Sequence, residues 1–253
     1  MKVTIITPTF NSEKTIEDTL MSVQKQNYAD IEHIIIDGKS TDKTLEIIKS
    51  FPHVAKVISE KDSGIYDAMN KGLIAATGDV VAILNSDDLY VGEAVISDIV
   101  KLMQMDNASI VYADLDYVDR DDINKVARVW FSGPYRRENF RFGWAPPHPT
   151  FFAKKDLYER FGGFNVSFKN SADYELMFRF LYVNNQPCSY LRKTIVKMRR
   201  GGYSNISIRN RINANIEDRK SWKVNKIGMP FWVPILKPLR KIPQFFPSLV
   251  VKP

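Results

Sequence analysis

The chain has a single cysteine, Cys188, so no internal disulfide can form and no paired-cysteine metal site exists. That usage fits a reducing cytosol. No apolar run reaches the roughly twenty residues that span a bilayer. Met1 leads directly into Val3 to Ile6 with no basic head, long apolar stretch or small-residue cleavage site, so no signal peptide is read. The glycine fingerprints of dehydrogenases and of P-loop enzymes are missing. Neither an internal repeat nor a low-complexity tract is present.

Acidic residues are scarce in one region, and that shapes the charge. The formal net charge is +7, yet residues 206 to 253 hold ten Lys or Arg against only Glu217 and Asp218. The remainder is close to neutral, so the basic character belongs to the C-terminal part. Such a segment attracts nucleic acid, anionic lipid or a pyrophosphate-bearing substrate through the same long-range field. Nucleic-acid binding has nothing else behind it, and no nucleic-acid partner is expected.

Short β-branched runs alternate with helical patterns over the first ninety residues, the mark of a parallel sheet covered by helices. Strands are expected over 3–7, 31–37, 54–59 and 80–84. Ile16, Leu20 and Val23 repeat at helical spacing after a cap at Asn11 or Ser12, and Leu45 and Ile48 follow a cap at Ser40 or Thr41. Tyr66, Met69 and Leu73 form a third stripe that Gly78 ends. Beyond these, a helix over 92–105, a strand over 109–113, a hairpin about 119–124, and helices over 154–161 and 173–183 are expected. The organisation reads as residues 1–205 in one α/β unit, with a nucleotide-binding half (1–90) and an acceptor half (91–205), followed by a 206–253 extension. Six prolines from Pro230 onward forbid a continuous helix through its end.

Ligands of open α/β sheets bind at the carboxyl edge, where loops and helix N-termini converge. Four polar segments fall there: Thr7-Pro8-Thr9-Phe10-Asn11, Asp37-Gly38-Lys39-Ser40-Thr41-Asp42, Asp62 to Asp67, and Asn85-Ser86-Asp87-Asp88. Carboxylates crowded at the mouth of the apolar run Val80 to Leu84 repel unless a cation or donors neutralise them, and oxygen ligands of this kind suit Mg²⁺ or Mn²⁺. The alternative is a loop whose acids cap the next helix.

Taken with Ala76-Thr77-Gly78-Asp79, Gly162-Gly163-Phe164-Asn165 and Ala172-Asp173-Tyr174-Glu175-Leu176, these segments resemble, in order and spacing, family-2 glycosyltransferases of the GT-A fold. The stretch Asp62 to Gly72 is similar to bacterial enzymes that build capsule, colanic acid or O-antigen units. The resemblance implies an α/β GT-A fold, a Rossmann-like, mostly parallel sheet flanked by helices. It implies that Thr7, Pro8, Thr9 and Asn11 line a nucleoside pocket and that Asp37 accepts from the base ring. Asp67, Asn70 and Lys71 would then face ribose, sugar or diphosphate. Asn85, Ser86 and Asp87 would meet the donor, and Asp87 would hold the metal with Asp88 beside it. Asn85 stands where the family has an acid, so it brings a carbonyl oxygen but no charge. Asp173 corresponds to the base of the inverting enzymes, which takes the proton of the attacking hydroxyl; otherwise it is an acid favoured at a helix N-terminus. Glu175 is the competing carboxylate.

Several further residues carry open readings. His148 sits between prolines and is either a diphosphate or metal contact or a structural histidine. Trp144 either stacks on a sugar or acceptor ring or packs in the core. Arg199 and Arg200 open a Gly201-Gly202-Tyr203-Ser204 segment that either covers the donor diphosphate or is a solvated turn. The aromatic and basic residues after 228 suggest peripheral contact with anionic lipid, or a segment wrapping its own domain. The expected enzyme is an inverting hexosyltransferase at the inner face of the cell membrane, passing sugar from a UDP-sugar to a polyprenyl diphosphate-linked or oligosaccharide acceptor. The competing readings are a sugar nucleotidyltransferase, which lacks its glycine-rich loop here, and a non-catalytic nucleotide-sugar-binding scaffold.

Overall fold

The computed structural model describes residues 1–201 and 208–245. The first half runs β1 (Val3–Thr9), α1 (Ile16–Gln24), β2 (Ile31–Asp37), α2 (Thr44–Lys49), β3 (Val54–Ser59), α3 (Ile65–Ala75) and β4 (Val80–Ile83). The strands are parallel in the order β3-β2-β1-β4. β1, β2 and β4 are buried along nearly their whole length, as expected of parallel strands covered on both faces. The expected helix caps at Asn11 and Ser40 or Thr41 are not used. Asn11 takes a left-handed conformation, φ 47°, that asparagine tolerates well. Asp42 instead accepts the Thr44 N–H at the start of α2.

The second half continues the same sheet. β5 (Asp88–Tyr90), α4 (Val95–Met105), β6 (Ile110–Val118), β7 (Val126–Trp130), β8 (Phe152–Lys154), α5 (Lys155–Phe161), α6 (Ala172–Met177) and β9 (Cys188–Arg199) follow. The sheet reads β3-β2-β1-β4-β8-β6-β9-β5, with β7 also on β6. β8 joins the halves antiparallel between β4 and β6. Parallel pairing, including the long β6–β9 ladder, accounts for most paired residues. The expected helix over 173–183 divides: a π-helical turn, Phe178–Val183, continues α6. β9 had no clear alternation in the sequence and was not expected. Finally α7 (Ile208–Val224) and α8 (Val233–Leu239) lie against the second half. Pro234 falls in the first turn of α8, where the missing N–H costs nothing. Trp222 of α7 is buried among Phe178 and Tyr182.

Candidate active site

The loop after β1 is stitched to its neighbours by short polar bonds. The Asn11 N–H donates to Ser40 Oγ at 2.9 Å and Asn11 Oδ1 accepts the Thr41 N–H at 2.9 Å. Ser12 Oγ lies 2.8 Å from Ser86 Oγ, which ties the loop after β1 to the loop after β4. Asp37, fully buried at the end of β2, accepts from Ser40 Oγ at 2.5 Å and Ser59 Oγ at 2.6 Å. Three parallel strands therefore finish in one cleft wall.

The acidic loop completes that wall. Asp88 is fully buried, and its Oδ2 accepts from Asn85 Nδ2 at 3.1 Å. Burial and the neighbouring Asp87 charge push the Asp88 carboxyl well above the usual range, and burial also raises Asp87. Arg199 holds this loop from beneath: its Nη1 donates to the Asp87 carbonyl at 2.9 Å, and its Nη2 pairs with Asp18. Three buried oxygens here, Thr9 Oγ1, Asn85 Oδ1 and Asp88 Oδ1, have no hydrogen-bond partner. An oxygen-only set with excess negative charge is what a hard divalent cation requires, so the residues fit Mg²⁺ or Mn²⁺.

Asp173 opens α6 on the facing wall, where the Tyr66 hydroxyl of α3 donates to its Oδ1 at 3.1 Å. Burial and the Asp173 charge raise the Tyr66 phenol far above its ordinary value, which keeps it a proton donor. Burial raises the half-buried Tyr117 phenol of β6, with the Arg128 charge opposing and the Asp88 and Asp173 charges adding to it. The half-buried His148 is lowered by burial, with Asp173 opposing, and stays neutral near pH 7.

The sequence profile of glycosyl transferase family 2 matches residues 4–159. The chain belongs to glycosyl transferase family 2. An uncharacterized glycosyltransferase of Mycobacterium tuberculosis is 32% identical over 180 residues, 70% of this chain and 68% of that protein. The fold matches S. aureus TarS 1-349 in complex with UDP, with a TM-score of 0.71 and 20% identity over 93% of this chain and 68% of that one. It also matches the mannosyltransferase PcManGT from Pyrobaculum calidifontis in complex with GDP-Man and Mn²⁺, with a TM-score of 0.68 and 21% identity over 99% of this chain and 73% of that one. The chain spans 37% of a longer TarS chain. Membership of this glycosyltransferase family sets aside the nucleotidyltransferase reading.

Within this family member, several expected site residues serve the frame of the cleft. The Asn70 amide is consumed by a reciprocal pair of 2.8 Å bonds to the Phe164 backbone, so it fixes the Gly-Gly-Phe loop and does not face a sugar. Gly163 permits that approach, since a Cβ there would lie 2.5 Å from Asn70 Oδ1. Lys71 turns to Glu60 and the Lys61 carbonyl, and Asp67 accepts the Ser63 N–H ahead of α3. Thr7 points into the sheet, 3.0 Å from His33 Nε2.

Glu175, 2% exposed, is held by Arg179 and Asn225, which removes it as a competing base. Trp144 is buried in the core and donates to the Ser132 carbonyl, so no sugar can stack on it. Among the described residues no three of His, Cys, Asp or Glu converge to hold a metal, so His148 does not join Asp87 and Asp88. Arg199 is a buried strut of the acidic loop; Arg200 is exposed, and Gly202 to Ser204 lie outside the described residues.

Tyr66 was not singled out for chemistry in the sequence. Tyr66 reads there as one member of an apolar helical stripe, and it does pack in the core while its hydroxyl reaches Asp173.

Proposed function

We propose that this glycosyltransferase moves a sugar from a nucleoside diphosphate donor, a UDP-sugar, to a hydroxyl of a lipid-linked saccharide in cell-surface polysaccharide synthesis, with inversion at the anomeric carbon. One observation carries this reading: buried oxygens of Thr9, Asn85 and Asp88 at the carboxyl ends of β1 and β4 have no hydrogen-bond partner, while Tyr66 of α3 holds the Asp173 carboxylate that opens α6. The first feature suits a metal-bound diphosphate and the second a general base. That TarS has been solved with UDP-GlcNAc, and the mannosyltransferase with GDP-Man and Mn²⁺, supports a nucleoside diphosphate sugar as donor and a divalent ion beside it.

Asn85, Asp87 and Asp88 would hold the divalent cation, which would neutralise the leaving diphosphate. The Asp173 carboxylate takes the proton of the acceptor hydroxyl as its oxygen bonds to the anomeric carbon. The bond from that carbon to the diphosphate oxygen breaks on the opposite face. Tyr66 holds Asp173 in place through its hydroxyl, and the Asn70–Phe164 amide pair holds the loop below it. Pro8, Thr9 and Asn11 surround the base ring, and Asp37, whose carboxylate is taken up by Ser40 and Ser59, holds the adjoining loop in place. A membrane-borne acceptor of this kind is met at the inner face of the cell membrane.

Asp173→Asn is expected to bind nucleotide-sugar with unchanged affinity and to lose transfer by about a thousandfold. The measurement is donor binding by calorimetry beside product formation over a panel of nucleotide-sugars with Mn²⁺. Turnover near that of the wild type would move the base elsewhere, and donor cleavage by neither protein would favour the scaffold reading.

A further inference from the structure

No described helix is long and apolar enough to cross a membrane, yet the residues around α8 expose a row of large apolar side chains. Phe231, Ile235, Leu239 and Ile242 recur at helical spacing and are 83%, 60%, 50% and 53% exposed. Water contact on this scale along one face is costly without a partner. The opposite face of α8 is fixed to the domain. Val233 is fully buried, the Trp232 indole donates to the Arg141 carbonyl at 2.9 Å, and Lys237 Nζ lies 2.5 Å from Asp218 Oδ2 and 3.8 Å over the Tyr174 ring. Gly143 admits this contact, because a Cβ there would lie 2.6 Å from Lys237 Cα. The exposed row is therefore held in a fixed orientation.

Two observations identify what covers it. First, no acid follows Asp218 in the sequence, while exposed Arg240 and Lys241 border the row. Second, a separate segment adds to the same surface: the turn ending at Phe142, 48% exposed, lies beside α8 through the Arg141 contact and brings exposed Arg141 with it. Apolar side chains interleaved with Arg141, Arg240 and Lys241 match an anionic lipid interface, where rings settle among acyl chains and cations meet headgroups. A symmetric contact of this surface with a second copy would instead set these cations against one another.

The row also lies near the cleft. Lys237 packs on Tyr174, the neighbour of Asp173, while further along the chain Phe245 approaches Arg128, which sits 3.9 Å over the Tyr117 ring. We infer that the surface formed by Phe231, Ile235, Leu239, Ile242 and Phe142 lies on an anionic bilayer and brings the acceptor side of the cleft to the membrane surface. The inference rests on the lipid-linked acceptor proposed above for its purpose, and on the exposed surface for its substance.

The test is flotation of the full-length chain with vesicles of phosphatidylcholine alone and of phosphatidylcholine mixed with phosphatidylglycerol. The wild type is expected to float with the anionic vesicles and to remain below with the neutral ones. Ile235→Ser/Leu239→Ser/Ile242→Ser is expected to lose binding by about tenfold or more, and Arg240→Glu/Lys241→Glu to lose it selectively on anionic vesicles. Melting temperature and donor cleavage without vesicles should match the wild type in the triple variant, because its three positions are exposed; the charge reversal is read by its ratio of anionic to neutral vesicle binding, since Lys241 also acts on the buried Asp218. Wild-type protein that fails to float, or a wild-type dimer that the triple substitution converts to a monomer in light scattering, would overturn the inference, the dimer by showing that a second copy covers the face. Flotation without sugar transfer would leave this surface standing and defeat the catalytic reading instead.

Discussion

At the amino ends of β1, β2 and β4, the Glu32 carboxylate receives Thr4 Oγ1 at 2.6 Å, Thr77 Oγ1 at 2.5 Å, the Thr77 N–H at 2.8 Å and Lys2 Nζ at 2.9 Å. At the carboxyl ends of the same strands, Thr9, Asn85 and Asp88 each keep a buried oxygen with no partner. Burial acts on both sets of carboxyls in the same direction, upward. At Glu32 the hydrogen bonds outweigh it and hold the group down at about 2, whereas at Asp88 the Asp87 charge adds to it. An unsatisfied buried polar atom costs roughly 1–3 kcal/mol, and a bound ligand is one way to offset that cost. Around Glu32 the amino edge is finished as structure, whereas three buried oxygens at the carboxyl edge are left for a partner.

Beyond the loss of the base itself, the largest expected effect comes from disarming the open edge. Asp87→Asn should lower transfer by about a hundredfold and raise the melting temperature of the metal-free protein, since Asp88 loses the charge beside it. A stabilisation of roughly 1 kcal/mol is typical of repairs at functional sites. Activity and melting temperature measured on one preparation check both halves. A variant that loses activity and stability together would place Asp87 in the frame of the fold.

The closed edge should answer in the opposite sense. Glu32→Gln is expected to cost roughly 3 kcal/mol, lowering the melting temperature by about 6–12 °C, with unchanged turnover per folded molecule. The folded carboxyl sits at about 2 against an ordinary 4.5, so its contribution is complete above pH 4.5 and is lost as pH falls toward 2. His33, buried against His53, is lowered by burial and then by that second ring to about 3, against 6.5. The unfolded chain therefore takes up that proton first, and stability begins to fall below pH 6.5. Melts across pH should show both stages in the wild type and only the upper one in Glu32→Gln.

This contrast was partly visible in the residues themselves. The alternation from β1 to β4 was legible because each strand is a short run rich in β-branched residues and each helix carries one apolar stripe. The polar loops at the carboxyl edge were legible for the same reason, since strand ends dictate where loops gather. What each polar side chain does there was not. Asn70 and Lys71 sit in a motif that reads as donor-facing, yet backbone groups of the 61 and 163–164 loops take their hydrogen bonds. Those partners lie 10 and 94 positions away, and the second separation is beyond any local pattern. Arg199 read as a loop residue because β9, whose end it forms, alternates poorly between apolar and polar positions. Trp144 and Glu175 were ambiguous by type, and burial decided both.

The smallest expected effect tests how the open edge is aimed. Glu217 of α7 spends its carboxylate on three successive backbone N–H groups, of Lys169 at 2.9 Å, Asn170 at 2.8 Å and Ser171 at 2.9 Å, immediately before Asp173. The same helix sends Trp222 to the Tyr174 hydroxyl, and Asn225 just past its end donates to Glu175, so this part of the chain grips both the entry to α6 and its first turn. α7 lies beyond the part of the chain that the family profile matches. Glu217 is thus a positioning residue for the base. A glutamine there keeps one accepting oxygen and turns an amide N–H toward another N–H, loosening the loop without removing it. Glu217→Gln should lower kcat by about tenfold and leave the donor KM unchanged, because the donor wall does not touch α7. A fall in melting temperature with kcat intact would make Glu217 a strut of the fold, equivalent in kind to Glu32 at the closed edge.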